Sequence, residues 1–193
     1  MSIIEIKKIG KSTFRLPDKS IAYTMEKALQ EYKKIKPVKY TVSDLILFLL
    51  YSQNKSIRRK IVLFKELFVI EQEIFKKENI ENCKFVPYYY GPYSFHAANK
   101  LKNMISSGLI KKRFVKGTNI VEYVLEPKGE RLIRKKYQSL PMRIKNQMEK
   151  IRMGLDQYSK HIQEYVYRIP KYERFTDKSL VRQKYKLITW GDV

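Results

Sequence analysis

Cysteine and histidine are nearly absent: the 193 residues contain one cysteine, Cys83, and two histidines, His96 and His161. One thiol cannot close a disulfide within the chain, and these three residues do not make the ligand set of a structural zinc site, so no metal or other cofactor is expected. Glycine is also scarce, at 7 residues, and forms no Gly-rich loop of the kind that cradles phosphates. There is no HExxH-like pair and no tight carboxylate constellation. Ser94 and His96 lie two apart on an expected helix, point to different faces and make no dyad. Cys83 has Lys84 beside it but no general base. The chain is therefore read as a protein without catalytic residues.

Long apolar runs are missing as well. The longest, residues 45–51, falls far short of the ~20 residues a membrane-spanning helix needs. The first ten residues, MSIIEIKKIG, alternate apolar and charged positions and lack the apolar stretch of a secretory signal, so the expected location is cytoplasmic and nucleoid-associated. Acidic residues are few: 19 Asp and Glu stand against 41 Lys and Arg, a formal charge of +22. Solubility of a small domain asks for only ~2 to 8 charges. With 44% hydrophobic and 13% aromatic residues the chain is too apolar for a basic disordered tail and should fold. The excess charge calls for a polyanion, with nucleic acid ahead of an anionic membrane. It is uneven: +6 in residues 1–40, +2 in 41–80, +5 in 81–128 and +9 in 129–193.

Residues 3–16 alternate well enough for two short strands around Gly10, and a helix is expected from Ser20 to Lys36. Thr41 or Ser43 caps a helix through Tyr51 that is apolar nearly all round and so buried. Ser56 is read as the cap of a longer helix whose stripe Ile57, Ile61, Phe64, Leu67, Phe68 and Phe75 faces the same core. After an aromatic extended stretch, Gly91-Pro92 breaks the chain and Ser94 caps a helix to about Ser107. Its inward face is assigned to Phe95, Ala98, Leu101 and Ile105. A hairpin follows, residues 109–115 and 120–125, joined by Lys116-Gly117-Thr118-Asn119.

This order gives an α+β, mainly helical fold: a winged helix-turn-helix over residues 41–128, an N-terminal extension (1–40) and a C-terminal helical region (129–193). Between Pro141 and Pro170 there is room for one helix of roughly 30 residues, about 45 Å long. Ile144, Met148, Ile151, Leu155, Tyr158, Ile162 and Tyr165 repeat along it with heptad spacing, which suits either a coiled-coil homodimer or packing on its own domain. Residues 172–193 are read as a further short basic helix.

Residues 57–110 also carry a pattern: Ile61 to Phe68, then Phe85-Val86-Pro87-Tyr88-Tyr89-Tyr90-Gly91-Pro92-Tyr93-Ser94, then Gly108-Leu109-Ile110. It resembles a prokaryotic winged-helix family of mostly uncharacterised proteins with a Y-G-P-[YF]-S turn. The turn is similar to that of the Panacea antitoxin domain, whose members neutralise toxins. The resemblance implies a winged-helix fold and a regulatory role, and names no target.

The expected DNA contacts are Arg58, Arg59 and Lys60 at the second helix start, the Tyr93 and Ser94 hydroxyls, the face His96, Asn99, Lys100 and Asn103, and Lys111, Lys112, Arg113 and Lys116 on the wing. Asn reads adenine bidentately, Lys reaches guanine or phosphate, and helix N-termini attract phosphate. Each set also has a plainer reading as solvated surface, and the tyrosines as packing. The partner expected is double-stranded DNA. Two alternatives stay open: a protein-interaction module of the antitoxin or adaptor kind, and an RNA-binding protein.

Overall fold

The computed structural model describes residues 7–10, 13–15, 21–24, 38–54, 56–155 and 159–176. The chain divides into two units, residues 1–37 and 38–193. In the first, β1 (Lys7–Gly10), β2 (Thr13–Arg15) and β3 (Ile21–Tyr23) form an antiparallel sheet in that order. The first two strands match the alternation around Gly10. The third replaces the start of the expected helix, because Ile21 pairs with Arg15 and Tyr23 with Thr13. Three residues are too few for periodicity to separate strand from helix, and Ile and Tyr favour the strand. The rest of that helix, residues 25–36, lies outside the described residues.

The second unit is built around α1 (Val42–Ser52). Thr41 starts it with a capping box: its hydroxyl accepts the Asp44 N–H, and the Asp44 carboxylate accepts the Thr41 N–H. Val42, Leu45, Ile46, Leu47, Phe48, Leu49 and Leu50 are each at most 1% exposed, so the helix is buried all round, as its composition requires. Packed on it are α2 (Lys60–Val69), α3 (Phe95–Ser106), α4 (Pro127–Gln138), α5 (Met142–Leu155) and the strand β6 (Val121–Leu125).

Ser56 does not cap the second helix. Residues 57 and 58 form a strand instead, β4 (Ile57–Arg58), and α2 begins at Lys60 after Arg59 turns the backbone at φ 70°. The reason is a sheet partner distant in sequence: Ile57 pairs with Tyr123 and Arg58 with Glu122, and the Ser56 hydroxyl donates to Glu122 Oε2 at 2.7 Å. With β5 (Ile110–Phe114) the strands form a second antiparallel sheet in the order β4-β6-β5. Beyond Val69 the helix widens into a π-helical turn, Ile70–Ile74, before Phe75, which is fully buried.

No long C-terminal helix occurs among the described residues. The chain instead forms α5, of 14 residues, and α6 (Ser159–Arg168), of 10, followed by a 3-10 turn (Pro170–Tyr172) and α7 (Glu173–Thr176). Each helix has its own anchorage. Ile144 and Met148 of α5, with Ile133 and Tyr137 of α4, belong to the main core, whereas Val166 of α6 packs with Phe68, Val69 and Tyr172. The first half of the heptad seam is thus taken up inside its own chain. Ile144 and Met148 are at most 2% exposed, and Ile151 is half-buried against the same core. Tyr165 is exposed, and the side chains of Leu155, Tyr158 and Ile162 lie outside those described. Residues 129–176 fall in the same compact unit as residues 41–128. The further helix expected over 172–193 falls mostly outside the described residues.

One ion pair ties this C-terminal segment to the centre. Arg152 of α5 donates to Glu66 Oε2 of α2 at 3.0 Å, with both side chains at 0% exposure. Removing one partner of such a pair leaves a buried charge uncompensated, which costs about 3–5 kcal/mol, whereas replacing both by apolar groups costs far less. Arg152→Leu is therefore expected to lose stability in urea denaturation by about that amount, and Glu66→Leu/Arg152→Leu to recover much of it. A double variant as unstable as the single one would contradict this account.

Candidate nucleic-acid interface

Helix α3 is set by its ends. Ser94 caps it, accepting the Ala97 N–H at 2.9 Å, and Gly108 follows its last turn at φ 70°. Lys128 of α4 reaches back to the Ser107 carbonyl at 2.9 Å. The Ser94 hydroxyl also donates to the Cys83 carbonyl and the residue is fully buried, so it serves the fold and does not face a phosphate. Tyr93 is half-buried and stacked on Phe64, with ring centroids 5.0 Å apart, and its hydroxyl accepts from Lys60 Nζ at 2.9 Å.

The most buried face of α3 is Ala97, Leu101 and Met104, with Ala98 and Ile105 of the expected stripe partly buried beside it, while Phe95 is 44% exposed. Rotating the helix in this way divides the expected polar face. His96 and Lys100 turn toward the loop before it, where both meet Glu81: His96 Nε2 lies 2.7 Å and Lys100 Nζ 3.5 Å from Glu81 Oε1. The other Glu81 oxygen accepts the Val42 N–H at 3.0 Å, fixing the start of α1 to the same carboxylate. Asn99 and Asn103 stay exposed, and they are joined by Lys102 and Ser106, which sequence reasoning missed. The signal was present: Ala97, Leu101 and Met104 also stand at i, i+4, i+7, but helical spacing equally puts Phe95 with Ala98, Leu101 and Ile105 on the inward face.

Between α3 and the sheet lies a groove of about 420 Å³ lined by Lys60, Asn99, Lys102, Ser106, Lys112 and Tyr123, among others. Three lysines line it and no acidic residue does. Strand alternation puts Lys112 on this side of β5 and Lys111 and Arg113 on the other. There the strand register sets Arg58 and Arg113 on either side of Glu122, with Arg113 Nε 2.7 Å from its Oε1. The Ser56 hydroxyl and the Arg113 guanidinium, with Arg58 nearby, hold the Glu122 carboxyl below the ordinary carboxylate value. Lys111, Lys116 and Phe114 are exposed, the last at 68%.

The helix-start cluster is dispersed by the strand β4. Arg58 faces the outer sheet surface, Arg59 donates its backbone N–H to the Val121 carbonyl at 2.7 Å, and Lys60 stands at the N-terminus of α2 over the Phe64 and Tyr93 rings. A cation in a first helical turn opposes the helix dipole, so Lys60 is not there for the stability of α2. Lys60, Lys102 and Lys112 thus present positive charge to one groove beside Asn99 and Ser106, which suits hydrogen bonding to an anionic polymer, while Arg58, Lys111 and Arg113 lie on the other face of the sheet. Among the described residues no helix is long and apolar enough to cross a membrane. No protein-family model matches the chain, and no curated protein or solved structure matches it.

Glu81 sets how much of α3 is available. Burial would raise its carboxyl, but the Val42 N–H, His96 and Lys100 outweigh that and hold it below the ordinary value. A depressed folded-state value means stability that is present above the ordinary carboxylate range and lost as pH falls through the lowered one. Glu81→Gln should therefore be less stable than the native chain at pH 7, with the gap in urea midpoint closing below about pH 4. A gap unchanged down to pH 3 would remove Glu81 from this role.

Proposed function

We propose that residues 41–128 form a winged helix and that the protein binds duplex DNA, acting as a transcriptional regulator or chromatin-associated factor. The order α1, β4, α2, α3, β5, β6 with sheet order β4-β6-β5 supports the fold assignment, since a winged helix runs helix, strand, helix, helix and then a two-stranded wing. The observation that carries the function is the groove: three lysines and no carboxylate line it, beside a helix whose outer face is Asn99, Lys102, Asn103 and Ser106. In this reading α3 enters the major groove, the asparagines meet base edges, and Lys60, Lys102 and Lys112 neutralise flanking phosphates. The hairpin lies along the backbone with Lys111, Arg113 and Lys116. His96 and Lys100 have a structural role through Glu81.

Affinity for duplex DNA should fall steeply with salt, because neutralising Z phosphates gives a log–log slope near −0.9Z. Lys102→Ala and Lys112→Ala should each weaken binding to all sequences and reduce the slope by about 1, while Asn99→Ala or Asn103→Ala costs about 1–3 kcal/mol on preferred sequences only. Fluorescence anisotropy on a preferred and a random duplex at ~50 to 200 mM salt separates these outcomes. A slope near zero would reject DNA binding.

A protein partner is the second reading, favoured by one observation. Tyr89, Tyr90 and Phe95 are 63%, 68% and 44% exposed and lie together at the N-terminal end of α3, where exposed aromatics suit an interface. A partner that stays bound through nuclease and high salt, and is lost in Tyr90→Ala, would favour it over DNA.

A further inference from the structure

Lys65 is the residue the DNA-binding reading leaves unused. It lies in the middle of α2, is 2% exposed, and donates from Nζ to the Pro92 carbonyl at 3.0 Å. An ammonium has three donors, and a lysine inside a protein interior ordinarily has a carboxylate beside it. Here the surroundings are rings. A cavity of about 210 Å³ opens beside Lys65, lined also by Phe64, Tyr88, Tyr90, Tyr93, Gly91-Pro92 and Lys60. Gly91 is required for this approach. Its φ is +84°, and a Cβ there would stand 2.8 Å from Lys65 Nζ.

We propose that this cavity is a binding site for a small aromatic carboxylate, whose ring lies among the tyrosines and whose carboxylate pairs with Lys65. Size and chemistry both support that class. A cavity of ~150 Å³ lined by apolar side chains accommodates benzene, so this volume holds one six-membered ring with a small substituent. Aromatic walls favour a planar ring in offset or edge-on contact. The charged groups of the lining are the Lys65 and Lys60 amines, with no carboxylate among the lining residues, which selects an anion over a neutral or cationic head.

The protonation of Lys65 gives the site a signature. Burial lowers its amine from 10.5 to about 7. Among the described residues that line the cavity or stand beside Gly91, the ionisable groups are the Lys60 ammonium and the phenols of Tyr88, Tyr90, Tyr93 and Tyr167. No carboxylate is among them, so above pH 7 the empty site holds largely neutral amine and must take up a proton when the anion enters. Binding is strongest near or below pH 7 and weakens as pH rises.

The test is calorimetric titration of benzoate into the full chain at pH 8, in two buffers of different ionisation enthalpy. The expected result is binding with net proton uptake, and affinity for benzamide, the neutral isostere, lower by about tenfold or more. Lys65→Met should lose the benzoate preference while its circular dichroism and duplex binding remain. Equal affinity for benzoate and benzamide on the native chain overturns the proposal, whether or not Lys65→Met folds. So does benzoate binding that persists unchanged in a folded Lys65→Met, which would place the anion on the basic surface. No DNA is present in the titration, so its outcome is independent of the DNA-binding reading.

Discussion

Everything in the second unit depends on a helix that has no face for water. Seven of the eleven residues of Val42–Ser52 are large aliphatic or aromatic side chains at most 1% exposed. Each contributes roughly 1.5–3 kcal/mol only if something apolar covers it. Covering every side of one helix takes several neighbours, and α2, α3, α4, α5 and β6 supply them. The C-terminal segments are therefore part of the core by necessity. Without Ile133, Tyr137, Ile144 and Met148, one flank of Phe48 and its neighbours would face solvent. The start of α1 is fixed electrostatically as well: Asp44 completes the cap and takes the Lys136 ammonium at 2.9 Å, joining α4 to the first turn.

That central packing also decides where the surplus charge goes. The described carboxylates are largely engaged with cations of the same chain: Asp44 with Lys136, Glu66 with Arg152, Glu73 with Lys171, Glu81 with His96 and Lys100, and Glu122 with Arg113. Most of these pairs join elements distant in sequence and neutralise charge where chains must pack. The remaining Lys and Arg are pushed outward. On Lys102, Lys111, Lys112 and Lys116 the charge lies on one side of α3 and along the hairpin, with no carboxylate inside the groove. Among the described residues the charge is thus divided into a compensated part inside the fold and an uncompensated part on the surface, and only the second is available to a polyanion.

What the sequence made legible follows from how local each signal is. Thr41, Ser94 and Gly108 act on neighbours within three or four residues, and they mark real helix ends. The hairpin was legible because its turn, with Gly117 at φ 74°, and both strands lie within sixteen residues. The errors share a different origin. Ile57-Arg58 reads as the start of a helix because its partner is Tyr123-Glu122, more than sixty residues on. Helical spacing puts Phe95 with Ala98, Leu101 and Ile105 on the inward face, yet the helix turns Ala97, Leu101 and Met104 furthest inward and leaves Phe95 among Tyr88 and Tyr93. The single long helix expected between Pro141 and Pro170 is the clearest case. A 3-4 spacing describes an amphipathic helix on its own core as well as a coiled coil, and only the identity of the covering surface separates them.

The resulting surface has one junction at which these effects meet. Lys60 borders both the basic groove and the aromatic cavity, and its ammonium is held to the Tyr93 hydroxyl at 2.9 Å. Tyr93 in turn stacks on Phe64 and stands directly before the cap of α3. The two cavities therefore share one cation, Lys60, and an anion held in either lies next to the same charge. Lys60 stands at a helix N-terminus that disfavours it, on a backbone turned by Arg59 at positive φ. What holds Lys60 there is the Tyr93 hydroxyl and the faces of the Phe64 and Tyr93 rings, and its charge borders both openings.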